Sequence, residues 1–104
     1  PNMVPINTML RISIQEEPQK QTILLEGKIA GPWVEEFDRA WRTLDNFSRL
    51  KELQLDLRGV AFVDENGRKL LRHIYDETHA SFLTNSPLTR YFAEEAMHKS
   101  SATL

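Results

Sequence analysis

Four groups of residues in this chain have types and spacings that invite chemistry. His73 and Glu77 stand four apart, with Asp76 and His79 beside them, a spacing that can gather a metal on one helix face. No His-Glu-x-x-His pattern and no third convergent ligand accompany them, so they read as a solvated helix face and no metal site is expected. Ser13, Ser48, Ser81, Ser86, Ser100 and Ser101 lack the Gly-x-Ser-x-Gly setting of a nucleophile, and Ser86-Pro87 reads as a helix cap. The glycines, Gly27, Gly31, Gly59 and Gly67, are too scattered for a phosphate-cradling loop or a dinucleotide fingerprint. Arg58, Arg68, Lys69 and Arg72 form a small basic group suited to acidic residues of a partner. Catalysis has no visible machinery here, and neither an enzyme nor a cofactor is expected.

The most informative stretch runs from Leu53 to Gly67. Leu53, Leu55 and Leu57 alternate with Glu52, Gln54 and Asp56, the period of a strand that buries one face. Arg58-Gly59 breaks the alternation, so the strand is expected to end near Leu57 in an exposed corner. A short apolar patch, Val60, Phe62 and Val63, then leads to Asp64-Glu65-Asn66-Gly67, whose side chains can cap a helix carrying Leu70, Leu71 and Ile74. Asn66 is the expected neutral acceptor at that helix start, and the corner from Arg58 to Arg72 is the expected functional surface. Asp56 is expected to bond the backbone of the turn. A receiver-type phosphoacceptor role for Asp56 would need an acidic pair after a first parallel strand, and Glu16-Glu17 falls in a hairpin turn instead.

Asp56-Leu57-Arg58-Gly59-Val60 and Asp64-Glu65-Asn66-Gly67 match in spacing the pattern of the STAS domain family, the bacterial anti-sigma factor antagonists and their relatives. That pattern is an apolar strand, Asp-Leu-Ser-Gly-Val or similar, three variable residues, then Asp-Ser-Ser/Ala-Gly-Leu. The resemblance covers roughly residues 9 to 97 and implies a single STAS-like α/β domain that binds a protein and catalyses nothing. In regulated members the Ser or Thr two residues after the second Asp is phosphorylated by the anti-sigma factor, itself a kinase, which ends their complex. Here that position is Asn66, so no phospho-acceptor is expected; Glu65 and Arg68 also depart from the family pattern. The implied binding residues are Arg58, Val63, Asp64, Glu65, Asn66, Gly67, Arg68 and Arg72. The implied partner is a kinase-type anti-sigma factor or, in an adaptor role that needs no phosphoserine, a transporter component. Sensing of a small ligand or nucleotide at the helix start is a further role proposed for the family.

The elements that must position this corner follow from the rest of the chain. Leu10, Ile12 and Ile14 alternate with Arg11 and Ser13, and a polar turn, residues 16 to 20, precedes a second strand from Gln21 to Glu26 that Gly27 closes. Gly31-Pro32 opens a helix whose Trp33, Val34, Phe37, Ala40, Trp41 and Leu44 recur at three and four. Trp33 and Trp41 read as core, with Trp33 also placed to serve an interface. Asp45 to Ser48 is the expected loop into the central strand. A helix from about Asn66 to Thr78 leads to a short strand, Ala80 to Leu83, and a last helix with Leu88, Tyr91, Phe92 and Met97 on its apolar side. This order predicts a mixed sheet of about four strands with helices mainly on one face.

At 104 residues the chain fits one domain able to bury roughly 60–70% of its unfolded surface, with residues 1–8 as lead-in and 98–104 as tail. Hydrophobic residues at 40% and charged residues at 27% argue against disorder. A net charge of -2 gives no footprint for nucleic acid. No apolar run approaches a membrane span or a secretion signal, and no cysteine is present, which together predict a cytoplasmic protein without direct membrane insertion; a bacterial signalling role is what the STAS resemblance implies.

Overall fold

The computed structural model describes residues 9–47 and 51–97; the expected lead-in, the tail and Ser48 lie outside them. Four strands and three helices follow in the order β1 (Leu10–Glu16), β2 (Lys20–Ile29), α1 (Pro32–Phe47), β3 (Glu52–Val63), α2 (Glu65–Thr78), β4 (Ser81–Leu83) and α3 (Pro87–Met97). The strands form one sheet in sequence order, β1 antiparallel to β2 and the others parallel, which is the mixed α/β sheet expected.

Register explains which residues build the core. Ile12 pairs with Leu25, Ile14 with Ile23, and Leu55 with both Ile23 and Phe82, so these side chains share one face of the sheet. Phe37, Trp41 and Leu44 of α1, Leu71 and Ile74 of α2, and Phe92, Ala93 and Ala96 of α3 join that face in one cluster. Thr22, Gln54, Ser13 and Ser81 occupy the opposite, polar face, where the Thr22 hydroxyl donates to Gln54 Oε1 at 3.3 Å. Trp41 is buried, with its indole N–H donating to Asp38 Oδ1 at 3.0 Å, while Trp33 is half-buried against the core.

Several boundaries differ from those read in the sequence. β3 does not end near Leu57 but continues for 12 residues to Val63. Its pairing with β2 slips twice, between Leu24 and Glu26 and between Gly27 and Lys28, each slip leaving one extra residue on β3. These β-bulges change the spacing of buried positions from two to three, through Leu57, Val60 and Val63, and so mimic the end of a strand. β2 likewise runs through Gly27 to Ile29. Gly27 holds φ at 109°, and a Cβ there would collide with the Met9 carbonyl oxygen, so the residue bends the strand instead of ending it.

α1 extends over Asp45, Asn46 and Phe47, which were expected in a loop; no glycine or proline between Pro32 and Gly59 stops it earlier. In α3 only Phe92 of the expected apolar side is buried, whereas Leu88, Tyr91 and Met97 are exposed. The inward residues are Thr89, Ala93 and Ala96, small enough to let α3 pack closely on its neighbours. Its start is as expected: Ser86 Oγ accepts the Thr89 N–H at 3.1 Å, and Thr89 Oγ1 accepts the Ser86 N–H at 3.2 Å, a reciprocal cap ahead of Pro87.

Candidate functional site

The end of β3 and the start of α2 meet the start of α1 at one carboxylate. The Asp64 N–H continues the ladder by donating to the Ile29 carbonyl at 3.0 Å. Asp64 itself is extended, with φ −81° and ψ −177°, the conformation of a residue just outside a helix. Its Oδ1 accepts the Gly67 N–H at 2.8 Å, and its Oδ2 accepts the Gly31 N–H at 2.9 Å. One side chain therefore caps α2 and holds the residue that leads into α1. The partial positive charge at helix N-termini favours a carboxylate there.

Asp64, not Asn66, is thus the cap of α2. Asn66 lies inside the first turn, exposed, with no side-chain hydrogen bond, because the capping position is two residues earlier. Glu65 and Lys69 are exposed beside it, at 3.9 Å on the same helix, a separation that leaves both largely to solvent. Gly67 is buried: a Cβ at this position would stand 2.6 Å from the Ile29 carbonyl oxygen and 2.8 Å from Val63 Cγ1. Only glycine lets the first turn of α2 lie this close to β2.

Arg68 links three elements. Its Nη1 donates to the Val63 carbonyl at 3.0 Å, and its Nε stands 3.3 Å from Glu95 Oε1 of α3. That second contact is an ion pair without hydrogen-bond alignment, since Glu95 Oε1 accepts no hydrogen bond. Arg72 is half-buried, with a buried Nε that donates to nothing.

Two of the expected binding residues stand apart from this surface. Val63 is fully buried, because its side chain faces the helices and packs on Gly67. Arg58 lies within β3, where five residue steps of strand at about 3.3 Å each separate it from Val63. On the open face of the sheet it clamps Asp56, donating from Nε to Oδ1 at 3.0 Å and from Nη2 to Oδ2 at 2.8 Å, while its backbone N–H also donates to Oδ1. Asp56 is 3% exposed. The Arg58 guanidinium holds its carboxyl below the ordinary aspartate range, against the opposing pull of burial. The backbone bond expected of Asp56 is present, inside a bulged strand and not in a turn. The basic group is accordingly split, with Arg58 engaged on the sheet and Arg68, Lys69 and Arg72 on α2.

Glu65, Asn66 and Lys69 make up the exposed rim, with Asp64, Arg68 and Arg72 half-exposed around it. The first turn of α2 offers a carboxylate and a carboxamide but no hydroxyl. His73 packs edge-on against Trp41 with ring centroids 5.9 Å apart, and no group of three or more His, Asp or Glu able to hold a metal occurs among the described residues. Gly31, Ile29 and Glu95 are not among the site residues that the sequence suggests. Gly31-Pro32 marked a helix start there, but nothing local says that it meets Asp64.

No family model matches the chain, and no curated protein does. Among solved structures, it resembles the crystal structure of an anti-sigma factor antagonist from Mycobacterium paratuberculosis, with a TM-score of 0.72 over 93% of this chain and 85% of that one. At 17% sequence identity the likeness is one of fold, and it agrees with the single α/β domain of mixed sheet and helices that the family resemblance implies. No helix among the described residues is long and apolar enough to cross a membrane.

Proposed function

We propose that residues 9–97 form a non-catalytic STAS-type regulator that binds another protein through the start of α2 and lacks the phosphorylation site of regulated relatives. The observation that carries this reading is the exposed Asn66, two residues after the capping Asp64, in a chain folded like an anti-sigma factor antagonist. A carboxamide accepts no phosphoryl group from a kinase, so the surface of Glu65, Asn66, Arg68, Lys69 and Arg72 stays in its unmodified state. The partner is a kinase-type anti-sigma factor in the cytoplasm, which the chain engages without being released by phosphorylation.

Calorimetric titration against the kinase-type anti-sigma factors of the same genome, with and without Mg-ATP, tests this. The expected result is a complex that ATP leaves intact, no phosphate on residues 64 to 67, and ATP-dependent release of the Asn66→Ser variant. Failure of every such factor to bind, or ATP-driven release of the wild-type chain with phosphate at 64 to 67, would overturn the proposal.

A further inference from the structure

β1 forms one edge of the sheet, and its seven residues pair one-to-one with β2 without a bulge, a proline or a glycine. Edge strands of monomeric proteins are usually short, bulged or guarded by inward charges, because a straight edge templates further pairing. The direction of the free groups is fixed by the flanking bonds. The Lys28 N–H donates to the Met9 carbonyl, and the Glu17 N–H donates to the Lys20 carbonyl. Odd-numbered residues of β1 therefore turn their backbone groups toward β2, and Leu10, Ile12, Ile14 and Glu16 turn theirs outward. Among the described residues nothing pairs with them. Beside this edge Ile14 is 46% exposed, on the same face as buried Leu10.

We infer that β1 pairs antiparallel with β1 of a second copy of this chain, about a two-fold axis through Ser13, to make one continuous sheet. This register sets Ile12 opposite Ile14 of the second copy and Leu10 opposite Glu16, so every outward-facing residue of β1 gains a partner. A shift by two residues in either direction leaves outward groups at one end unpaired. The isoleucines cover each other on the helix face. On the polar face Arg11 meets Gln15, and the small Ser13 meets itself, so no like charges are opposed. The self-complementary fit selects a second copy over an unrelated extended segment. Because one strand pair buries less than about 1,200 Å², the dimer is concentration-dependent.

Sedimentation equilibrium of the full chain from micromolar to millimolar concentration tests the association. The apparent mass should rise toward twice the monomer value, and Ile14→Lys should hold it at the monomer value with an unchanged melting temperature. The register has its own test, since the chain contains no cysteine. Residues opposed in a non-hydrogen-bonded antiparallel pair have Cα atoms about 4.5 Å apart, within disulfide range. Ser13→Cys should therefore cross-link in oxidised glutathione at least about tenfold faster than Gln15→Cys, whose copies lie several residues apart across the axis. A chain that stays monomeric throughout, or two cysteine variants that cross-link at equal rates, would overturn the inference.

Discussion

Asp64 Oδ2 and the Gly31 N–H, 33 residues apart in sequence, are joined by a 2.9 Å hydrogen bond that ties the approach to α1 to the start of α2. Removing the carboxylate releases both Gly31 and Gly67 at once. Asp64→Ala is expected to cost about 2 kcal/mol, the upper end of the range for a lost cap. Asp64→Asn, with one acceptor oxygen in place of two, should recover part of that. Urea unfolding of the three proteins measures it, and a loss below about 0.5 kcal/mol for the alanine variant would show that neither bond contributes measurably.

Gly67 and Gly31 make an informative pair because each resists a side chain for a different reason. At Gly67 the obstacle is the Ile29 carbonyl 2.6 Å from the Cβ position; at Gly31 space is open but φ is +59°. Gly31→Ala should cost about 1 kcal/mol in backbone strain. Gly67→Val should exceed that, at about 3 kcal/mol, because backbone of β2 or α2 must move. Thermal and urea melts of both variants decide the order, and equal small losses would remove the close-approach role of Gly67.

Acid stability should report the clamp on Asp56. Its folded-state pKa lies below the unfolded value of about 3.9, so its contribution is present above that pH and is lost as pH falls through the folded value. Glu16, lowered by its hydrogen bond to Lys51, acts in the same direction, but it is solvent-exposed and screened by salt. In 1 M salt, wild-type stability should fall more steeply below about pH 4 than that of Asp56→Asn. Parallel slopes for the two proteins would place the acid sensitivity elsewhere.

At Asn66, binding and stability should separate. Asn66→Ala should change stability by less than about 0.5 kcal/mol, since its side chain caps nothing. Asn66→Asp should leave stability unchanged or raise it by about 0.3–1 kcal/mol through the helix dipole, while weakening the partner by adding a charge to the contact. Melting curves together with partner affinities at two salt concentrations make the comparison. Undiminished binding by Asn66→Asp would move the interface away from this turn.

Local patterns in the sequence carried much of this architecture. The hairpin of β1 and β2, the apolar stripe of α1, the end of α2 at Thr78 and the Ser86 cap all rest on neighbours within a few residues. The bulges of β3 replace the period of two with a period of three, and Gly59, which reads as a break in the strand, is the local sign of the first bulge, whose partner Leu25 lies in distant β2. The inner side of α3 is not legible from hydrophobicity, because Ala93 and Ala96 serve by being small while the more apolar Leu88 and Tyr91 stay outside. The spacing of Asp64 and Gly67 located the helix start, but the bond to Gly31 depends on the parallel pairing of β2 with β3. Arg58 is near the corner in sequence, but the extended strand carries it away.

Because Asp64 and Gly67 supply the bonds and the close packing at the start of α2, position 66 between them is free of architectural duty. A single substitution there can add or delete a phosphorylatable hydroxyl without disturbing the scaffold. Under the proposed function, regulation and folding fall to separate residues of the same turn, so that one codon suffices to exchange a reversible switch for a constitutive one.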